Sequence, residues 1–535
     1  MVMTGRCPKA TPQLPDAGET LKGHPKYQRL TVLIPTLTVY FCLAFYRLDH
    51  QSLWVDEVFS LRRANPEGTV LEPQSWFAGH GPLYFKTLQL WAKSMGTSEF
   101  GLRALSAAFG GVTVCLAYAM GERLYDRRVA GIAAWLLATS PFFIWYSQEV
   151  RYVMLMMAAA LLAMYAFHKA LTAKGSAWWL LQCGSLILML GVFIVNIFLL
   201  AAQGIYLVCS AKRRHLLRRW VAFQLVVFTL FVWWANAGHI AHLGGYWQRL
   251  LVHVTSSPQT RASIQPTEHM ATGSAREFTI MGIPYTFFTF STGYSLGPSL
   301  TELHISRSLK TVLAHTPVIA VCGLLFGTLF FIGLKALRQQ PDTAVFLTAW
   351  LVVPLMGTFA VSALIPEMPY NVRYVAMSFP AYILILAGGI ANFRRRLLQG
   401  ALLAAVLLIS ALSLANYYFN PRYSREDTRG AAQYLETAVG ARDVIVLVGS
   451  GYVFRHYYKP ASMLVSLTKE MINDEVALAR QFEDLDKDHE HLWLVSIRSW
   501  RVDPQGITQA LLNKRYTTMA RHELSGVDIR RYQLH

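Results

Sequence analysis

Ser52-Leu53-Trp54-Val55-Asp56-Glu57-Val58-Phe59-Ser60 sets two adjacent carboxylates directly behind the first long apolar stretch of the chain. An ionised group at a membrane boundary is costly to keep unless it pairs, binds a cation or does chemistry, so the position itself marks a functional site. On a helix Asp56, Ser60 and Arg63 share one face while Glu57 is turned about 100° away, so the two carboxylates are expected to have different jobs. Asp56 is the one expected to do chemistry. The plainer alternative is a pair of acids capping a helix N-terminus on a surface loop.

Composition says what kind of chain surrounds this pair. Of 535 residues, 54% are hydrophobic and 15% charged, too apolar for an ordinary soluble domain and typical of a membrane protein. Eleven candidate spans centre near residues 30–46, 102–121, 129–145, 153–171, 177–195, 197–210, 219–237, 312–334, 343–364, 375–392 and 397–416. The fifth and sixth, parted only by Asn196, also read as a re-entrant pair. The expected architecture is an α-helical polytopic membrane protein with a small α/β domain at the C-terminus. Residues 1–28 would form an arm, 29–416 the membrane domain with outer loops 47–103 and 238–310, and 417–535 the α/β domain. The arm is basic and proline-containing, and the apolar run after it lacks a small-residue cleavage site, so an uncleaved first span is expected.

The net charge of +18 lies mostly between the apolar runs. The arm and alternate short loops hold 20 Lys and Arg, whereas the opposite short loops hold only Arg151 and Arg373. Basic residues are retained on the cytoplasmic side, so the N-terminus is expected inside and the Asp56 loop and tail outside. From Tyr417 to His535, 16 Lys and Arg balance 15 Asp and Glu, which argues against a nucleic-acid surface. The cysteines, Cys7, Cys42, Cys115, Cys183, Cys209 and Cys322, follow neither a zinc nor a disulfide spacing.

Four polar clusters fall at outer ends of spans: Asp56-Glu57, His80-Gly81-Pro82-Leu83-Tyr84, Trp145-Tyr146-Ser147-Gln148-Glu149-Val150-Arg151-Tyr152 and Pro369-Tyr370-Asn371-Val372-Arg373-Tyr374. Arg151 and Arg373 stand where positive charge is otherwise excluded, so an anion is expected to hold them there. Lys86 and Arg103 are weaker candidates, because either can reach lipid phosphate by snorkelling. His239 and His242, with Glu268, His269 and Glu302 to His304 in the same loop, have no second motif to fix a metal geometry.

Taken in series, the Asp-Glu pair after span one, His-x-Pro-Leu-Tyr, Ser98-Glu99-Phe100-x-x-Arg103 and Tyr-Ser-Gln-Glu-x-Arg-Tyr resemble the GT-C integral-membrane glycosyltransferases. The nearest pattern is that of bacterial relatives of protein O-mannosyltransferases and lipid A aminoarabinose transferases, with Arg373-Tyr374 and Asp427-Thr428-Arg429 as further matches. The resemblance implies a plasma (inner) membrane enzyme that moves a sugar from a polyprenyl-phosphate donor to an extracytoplasmic acceptor: a protein, lipid A or a polysaccharide. Asp56 would be the catalytic base and Glu149 would orient the acceptor or hold a divalent cation, Mg or Mn. Arg151, Arg373, Lys86 and Arg103 would bind the donor phosphate, and Glu57, His80, Tyr84, Tyr146, Gln148, Tyr152 and Tyr374 would line the substrate site. One displacement would invert the anomeric carbon. The competing classes are a lipid-linked sugar transporter or flippase, which predicts ionisable residues at mid-span, and a non-catalytic assembly or sensor protein, for which Asp56 and Glu149 are dispensable.

Overall fold

The computed structural model describes residues 25–64, 82–173, 175–234, 281–305, 309–364, 370–460 and 462–535. Nearly all of the N-terminal arm, His80, His239, His242, Glu268 and His269 lie outside the described residues.

The principal helices of the first half are α1 (Pro25–Phe45), α2 (Val55–Ala64), α3 (Pro82–Met95), α4 (Glu99–Leu124), α5 (Arg127–Ala138) and α6 (Pro141–Ser147). After them come α7 (Val153–Ala170), α8 (Ala177–Val192), α9 (Ile197–Cys209) and α10 (Leu217–Trp234). The second half adds α11 (Gly282–Thr292), α12 (Thr316–Leu337), α13 (Pro341–Leu364), α14 (Phe379–Ala391) and α15 (Arg396–Phe419). Within the described residues each of the eleven expected apolar stretches therefore falls mainly on helix. By length and composition six described helices can cross a membrane, or seven if the bent pair α5 and α6 counts as one span. Two breaks in the chain divide others of the apolar stretches. Ser140 and Pro141 turn α6 by 57° from α5, the Ser140 hydroxyl accepting from Phe143 N at 3.3 Å and Pro141 bringing no N–H to the first turn. Between α8 and α9, Asn196 Nδ2 donates back to Met189 O at 2.8 Å, a second bond to a carbonyl that also accepts from Phe193 N at 3.1 Å.

The protein is a multi-pass membrane protein with a packed centre and an apolar rim. The span from Val372 to Ala391 is 89% buried, whereas α12 is 22% and α15 28% buried, so α14 forms the middle of the bundle and α12 and α15 face outward. Leu324, Phe331 and Leu408 are exposed on those two helices, as lipid contact requires. Cys183 and Cys322 are buried, Cys42 and Cys209 are exposed on apolar helices, and the described cysteines are all free.

The C-terminal unit is α/β, with α16 (Thr428–Ala438), β1 (Asp443–Gly449), α17 (Gly451–Tyr457), β2 (Met463–Leu467), α18 (Glu475–Asp488) and β3 (His491–Ile497). It ends in α19 (Ile507–Arg515), β4 (Thr517–Leu524) and β5 (Val527–Gln533). The sheet order is β2-β1-β3-β5-β4, parallel across β2, β1 and β3 and antiparallel beyond. In β1 alternate residues serve opposite faces: Val444, Val446 and Val448 pack with Leu478 and Phe482 of α18, while Ile445 and Leu447 pack with Ala431 and Leu435 of α16. Coverage on both sides is why the strand reads as an unbroken apolar run.

The sheet's C-terminal edge is docked on the loop that carries the two carboxylates. Asp427 caps α16 through Gly430 N (2.9 Å) and accepts from Ser52 Oγ (2.9 Å). Arg429 pairs with Glu99 and donates to Asp49 O (3.1 Å) and His50 O (2.9 Å). Tyr452 OH donates to Val55 O at 2.7 Å, and the Tyr457 hydroxyl accepts from Leu53 N and donates to Glu99. At this edge Gly449 has φ +103°, and a Cβ there would run into Ile497 O. Gly449→Ala should cost about 1–3 kcal/mol of local stability, read as faster amide hydrogen exchange in β1 and β3 of the full-length protein; unchanged exchange would show that the backbone yields there.

Candidate active site

Helix α2 begins at Val55, and its third residue, Glu57, reaches back to the Trp54 backbone N–H at 3.3 Å, half of a capping box. The side chain is fully buried. Arg103 grips both carboxylate oxygens, Nε to Oε1 at 2.9 Å and Nη2 to Oε2 at 2.8 Å. Arg425, from the segment leading into the α/β domain, adds Nη1 to Oε2 at 2.9 Å, and Val150 N donates to Oε1 at 2.9 Å. Burial alone would push the Glu57 carboxyl up; Arg103 and Arg425 outweigh it and hold it down, so it is ionised.

Two expectations change here. Arg103, expected among the phosphate ligands, donates to Glu57 and to Leu48 O, Gln51 O and Ser52 O, which occupies all its N–H groups. Glu57, expected to touch substrate, is enclosed by these donors instead. Both build the site without reaching into it. Gln148 is likewise committed, its Nε2 donating to Ala44 O (2.9 Å) and Tyr46 O (2.8 Å) at the end of α1.

Asp56, one residue earlier, faces the other way and keeps 23% of its side-chain surface open. Arg373 pairs with its Oδ2, and Arg151 Nη2 lies 3.7 Å from the same oxygen. Arg151 also donates to Asp56 O (3.3 Å) and Ser60 Oγ (3.4 Å), so the helical face expected from spacing is the face that binds it. Burial would raise the Asp56 carboxyl, but Arg151, Arg373 and Arg498 hold it well below the usual carboxylate range.

Behind this pair Glu149 is buried. Its Oε1 is 3.7 Å from Arg425 Nη2, and its Oε2 has no hydrogen-bond partner. Burial, only partly offset by Arg425 and reinforced by Glu57, pushes its carboxyl up to about 7. Tyr152 and Tyr374 both pack on Phe193, ring centroids 5.1 and 5.2 Å away, with Arg151 over Tyr152 and Arg373 over Tyr374. Tyr146 OH bonds Tyr294 OH at 2.8 Å, and Tyr84 OH is buried without a partner. Lys86 is exposed and donates to Gln89 Oε1 at 2.8 Å.

Three further arginines belong to this neighbourhood. Arg63 is stacked on Phe59 (4.0 Å) and Phe85 (5.4 Å), with Nη1 buried and unpartnered; burial and then Arg151 push its guanidinium down to about 10. Arg425 was hidden because its partners Glu57 and Glu149 lie hundreds of residues upstream. Arg498 comes from the end of β3 with φ +51°, pairs with Glu426 and lies 5.2 Å over Trp54.

A divalent cation fits this donor set poorly. Asp56 and Glu149 are both faced by guanidinium, and among the described residues no three His, Cys, Asp or Glu come together as a metal shell.

Residues 79–236 match the family model of dolichyl-phosphate-mannose-protein mannosyltransferase. An uncharacterised protein of Aquifex aeolicus is 26% identical over 230 residues, a match covering 40% of this chain and 44% of the relative, so the chain spans less than half of that relative's length. Among solved structures, ArnT from Cupriavidus metallidurans in the apo state superposes with a TM-score of 0.54 at 12% identity, covering 95% of this chain and 98% of that one. ArnT bound to undecaprenyl phosphate gives 0.51 at 11% identity, with 95% and 98% coverage. The Archaeoglobus fulgidus oligosaccharyltransferase tethered to an acceptor peptide gives 0.51 at 13% identity, covering 96% of this chain and 74% of that one. The fold is GT-C.

Two outcomes follow from the buried charges. Arg103→Met strands the Glu57 carboxylate beside Arg425 alone and should cost about 3–5 kcal/mol, seen as loss of monodisperse protein on size-exclusion chromatography; a well-behaved variant would show that Arg425 suffices. Glu149 has its folded pKa raised above its unfolded value, so its penalty on the native state is absent below the unfolded pKa and grows as pH rises towards about 7. Glu149→Gln should therefore raise the melting temperature at pH 8 and leave it unchanged at pH 4, and an equal shift at both would contradict the titration.

Proposed function

We propose that this chain is a glycosyltransferase that takes a sugar from a polyprenyl-phosphate donor and passes it, with inversion, to a hydroxyl acceptor on the extracytoplasmic side, with Asp56 as general base. The observation that carries the reading is the contrast between the neighbouring carboxylates. Glu57 is consumed by structure, while Asp56 is open and ringed by more positive charge than it can balance. Arg151, Arg373 and Arg63 together exceed its single charge, which leaves room for a phosphate. The placement of the site on the outer side rests on the distribution of basic loops.

The chemistry uses that surplus. A polyprenyl phosphate is already a competent leaving group, so what is required is stabilisation of the departing anion and a base for the acceptor hydroxyl. In the resting site Asp56 is a weak base because the arginines hold its pKa down. When phosphate enters, Arg151 and Arg373 turn part of their charge to it, and Asp56 regains basicity as the donor arrives. The acceptor oxygen attacks the anomeric carbon, its proton passes to Asp56, and the C–O bond to phosphate breaks with the electron pair leaving on the phosphate oxygen. Tyr152 and Tyr374 flank the reacting sugar. Lys86, exposed on α3 where it donates to Gln89, is the lysine that would meet the carrier phosphate. The step is drawn without a metal ion, because arginines face both Asp56 and Glu149.

The transporter reading predicts ionisable side chains at mid-span, whereas the charges described here gather where α2, α4 and the Glu149 loop meet. Asp56→Asn should lower transfer of radiolabelled sugar from a panel of polyprenyl-phosphate sugars by about 10²–10⁴-fold, with an unchanged elution profile and with wild-type turnover persisting in EDTA. Full activity in the variant would remove Asp56 from the chemistry, and chelator-sensitive turnover would restore a metal.

A further inference from the structure

The C-terminal domain brings its own charges to the other side of α2. Arg62 and Arg63 are consecutive and so point about 100° apart. Arg63 turns to Phe85 and Arg151, whereas Arg62 turns to the α/β domain, where its guanidinium lies over the Tyr452 ring at 5.4 Å and donates to Tyr452 O at 3.3 Å. The turn after β3, with Arg498 and Arg501, lies beside the start of α17, since Gly449 pairs with Ile497, and its charges act on the same tyrosine, whose hydroxyl is fixed on Val55 O immediately before Asp56. Arg62 on one side and the turn after β3 on the other thus gather three arginines around Tyr452, beside the proposed base.

Their counter-charges do not match. Glu426 takes Arg498, and Asp56 takes Arg373 and Arg151. Among the described residues Arg62 and Arg501 form no ion pair, although Arg501 is half-buried. A guanidinium that loses hydration without gaining a carboxylate is costly to keep. Stacking, Arg501 over Trp500 at 5.3 Å and Arg62 over Tyr452, orients both planar groups and leaves most of their N–H edges open. The position is also the one at which α/β sheets take ligands, outside the carboxyl ends of parallel strands, here β1 and β3. The left-handed backbone of Arg498 marks the same turn.

We infer that this seam between α2 and the C-terminal domain is an oxyanion site for the acceptor, formed by Arg62 and Arg501, and that the acceptor carries a phosphate or carboxylate close to the hydroxyl that is glycosylated. The inference rests on the glycosyltransferase reading for the word acceptor, but the anion site stands on the arginines themselves. The helix α2 then separates two anions, the donor phosphate on the Arg63, Arg151 and Arg373 side and the acceptor's anion on the Arg62 and Arg501 side. Asp56 lies between them, as attack from the face opposite the leaving group requires.

The test is equilibrium binding of glucosamine 1-phosphate, glucuronate and uncharged glucosamine to the full-length detergent-solubilised protein, with undecaprenyl phosphate present at saturation to occupy the donor side. The expected result is that one or both anionic probes bind and glucosamine does not. Arg62→Gln and Arg501→Gln should each weaken binding about tenfold, the Arg→Lys versions should recover part of it, and Arg442→Gln, on an exposed pair with Glu490, should bind as wild type. Failure of both anionic probes to bind, equal binding of glucosamine, or an Arg62→Gln/Arg501→Gln protein that binds like wild type would overturn the site. Failure of the glycosyltransferase reading would look different, as probe binding that persists in a wild-type protein that turns over no donor.

Discussion

The structure depends on one buried carboxylate. Glu57 sits with no exposure between two arginines and two backbone amides, and each donor comes from a different part of the chain: Arg103 from the head of α4, Arg425 from the segment entering the C-terminal domain, Val150 from the loop before α7 and Trp54 from its own helix start. A buried ion pair is weak evidence for net stability, because desolvation cancels much of the attraction. What it fixes is geometry. With Glu57 held from four directions, α2 has one permitted rotation, and that rotation aims Asp56 at Arg151 and Arg373. The neighbouring acids divide the work because a helix turns by about 100° per residue.

Much of this was legible in the chain and some was not. Apolar runs of bilayer length announced the helices, and the resemblance to GT-C enzymes ordered the outer clusters. The α2 face bearing Asp56 and Ser60 followed from a period of 3.6, a local property that needs no knowledge of the rest of the fold. Arg103 was misjudged for a physical reason: an arginine near a span end looks the same in sequence whether it serves a lipid phosphate or a buried glutamate. Arg425 and Arg498 carried no local signal at all, since their partners are set by how the tail docks. One omission was readable, for Ser525-Gly526 between two polar β-rich runs is a hairpin turn, and β4 and β5 flank it with Gly526 at φ +65°.

The site is built from guanidinium groups held by rings. Arg63 lies on Phe59 and Phe85, Arg151 on Tyr152, Arg373 on Tyr374, Arg425 on Trp54 and Trp145, and Arg498 on Trp54. Such stacking restrains a long side chain without using its N–H donors, so the arginines arrive oriented and still able to bind. It also explains how cationic groups persist with few carboxylates around them. Aromatic faces replace part of the lost hydration at a lower cost than a second anion, which would have competed with a phosphate for the same donors.

The spacing of the Glu57 clamp along the chain also sets an order of assembly. Arg103 follows Glu57 by 46 residues, but Arg425 comes 368 residues later, after the last span has been made. From Arg103 to Arg425 the wait at about 5–20 residues per second is roughly 15–65 s, during which α2 is held by one arginine and the Asp56 face has no partner from the tail. A ribosome that stops short of residue 425 thus leaves a nascent chain whose helices are in place but whose last lock is missing. Emergence of the segment that leads into the α/β domain is therefore itself a checkpoint, reached before the strands of that domain have been made.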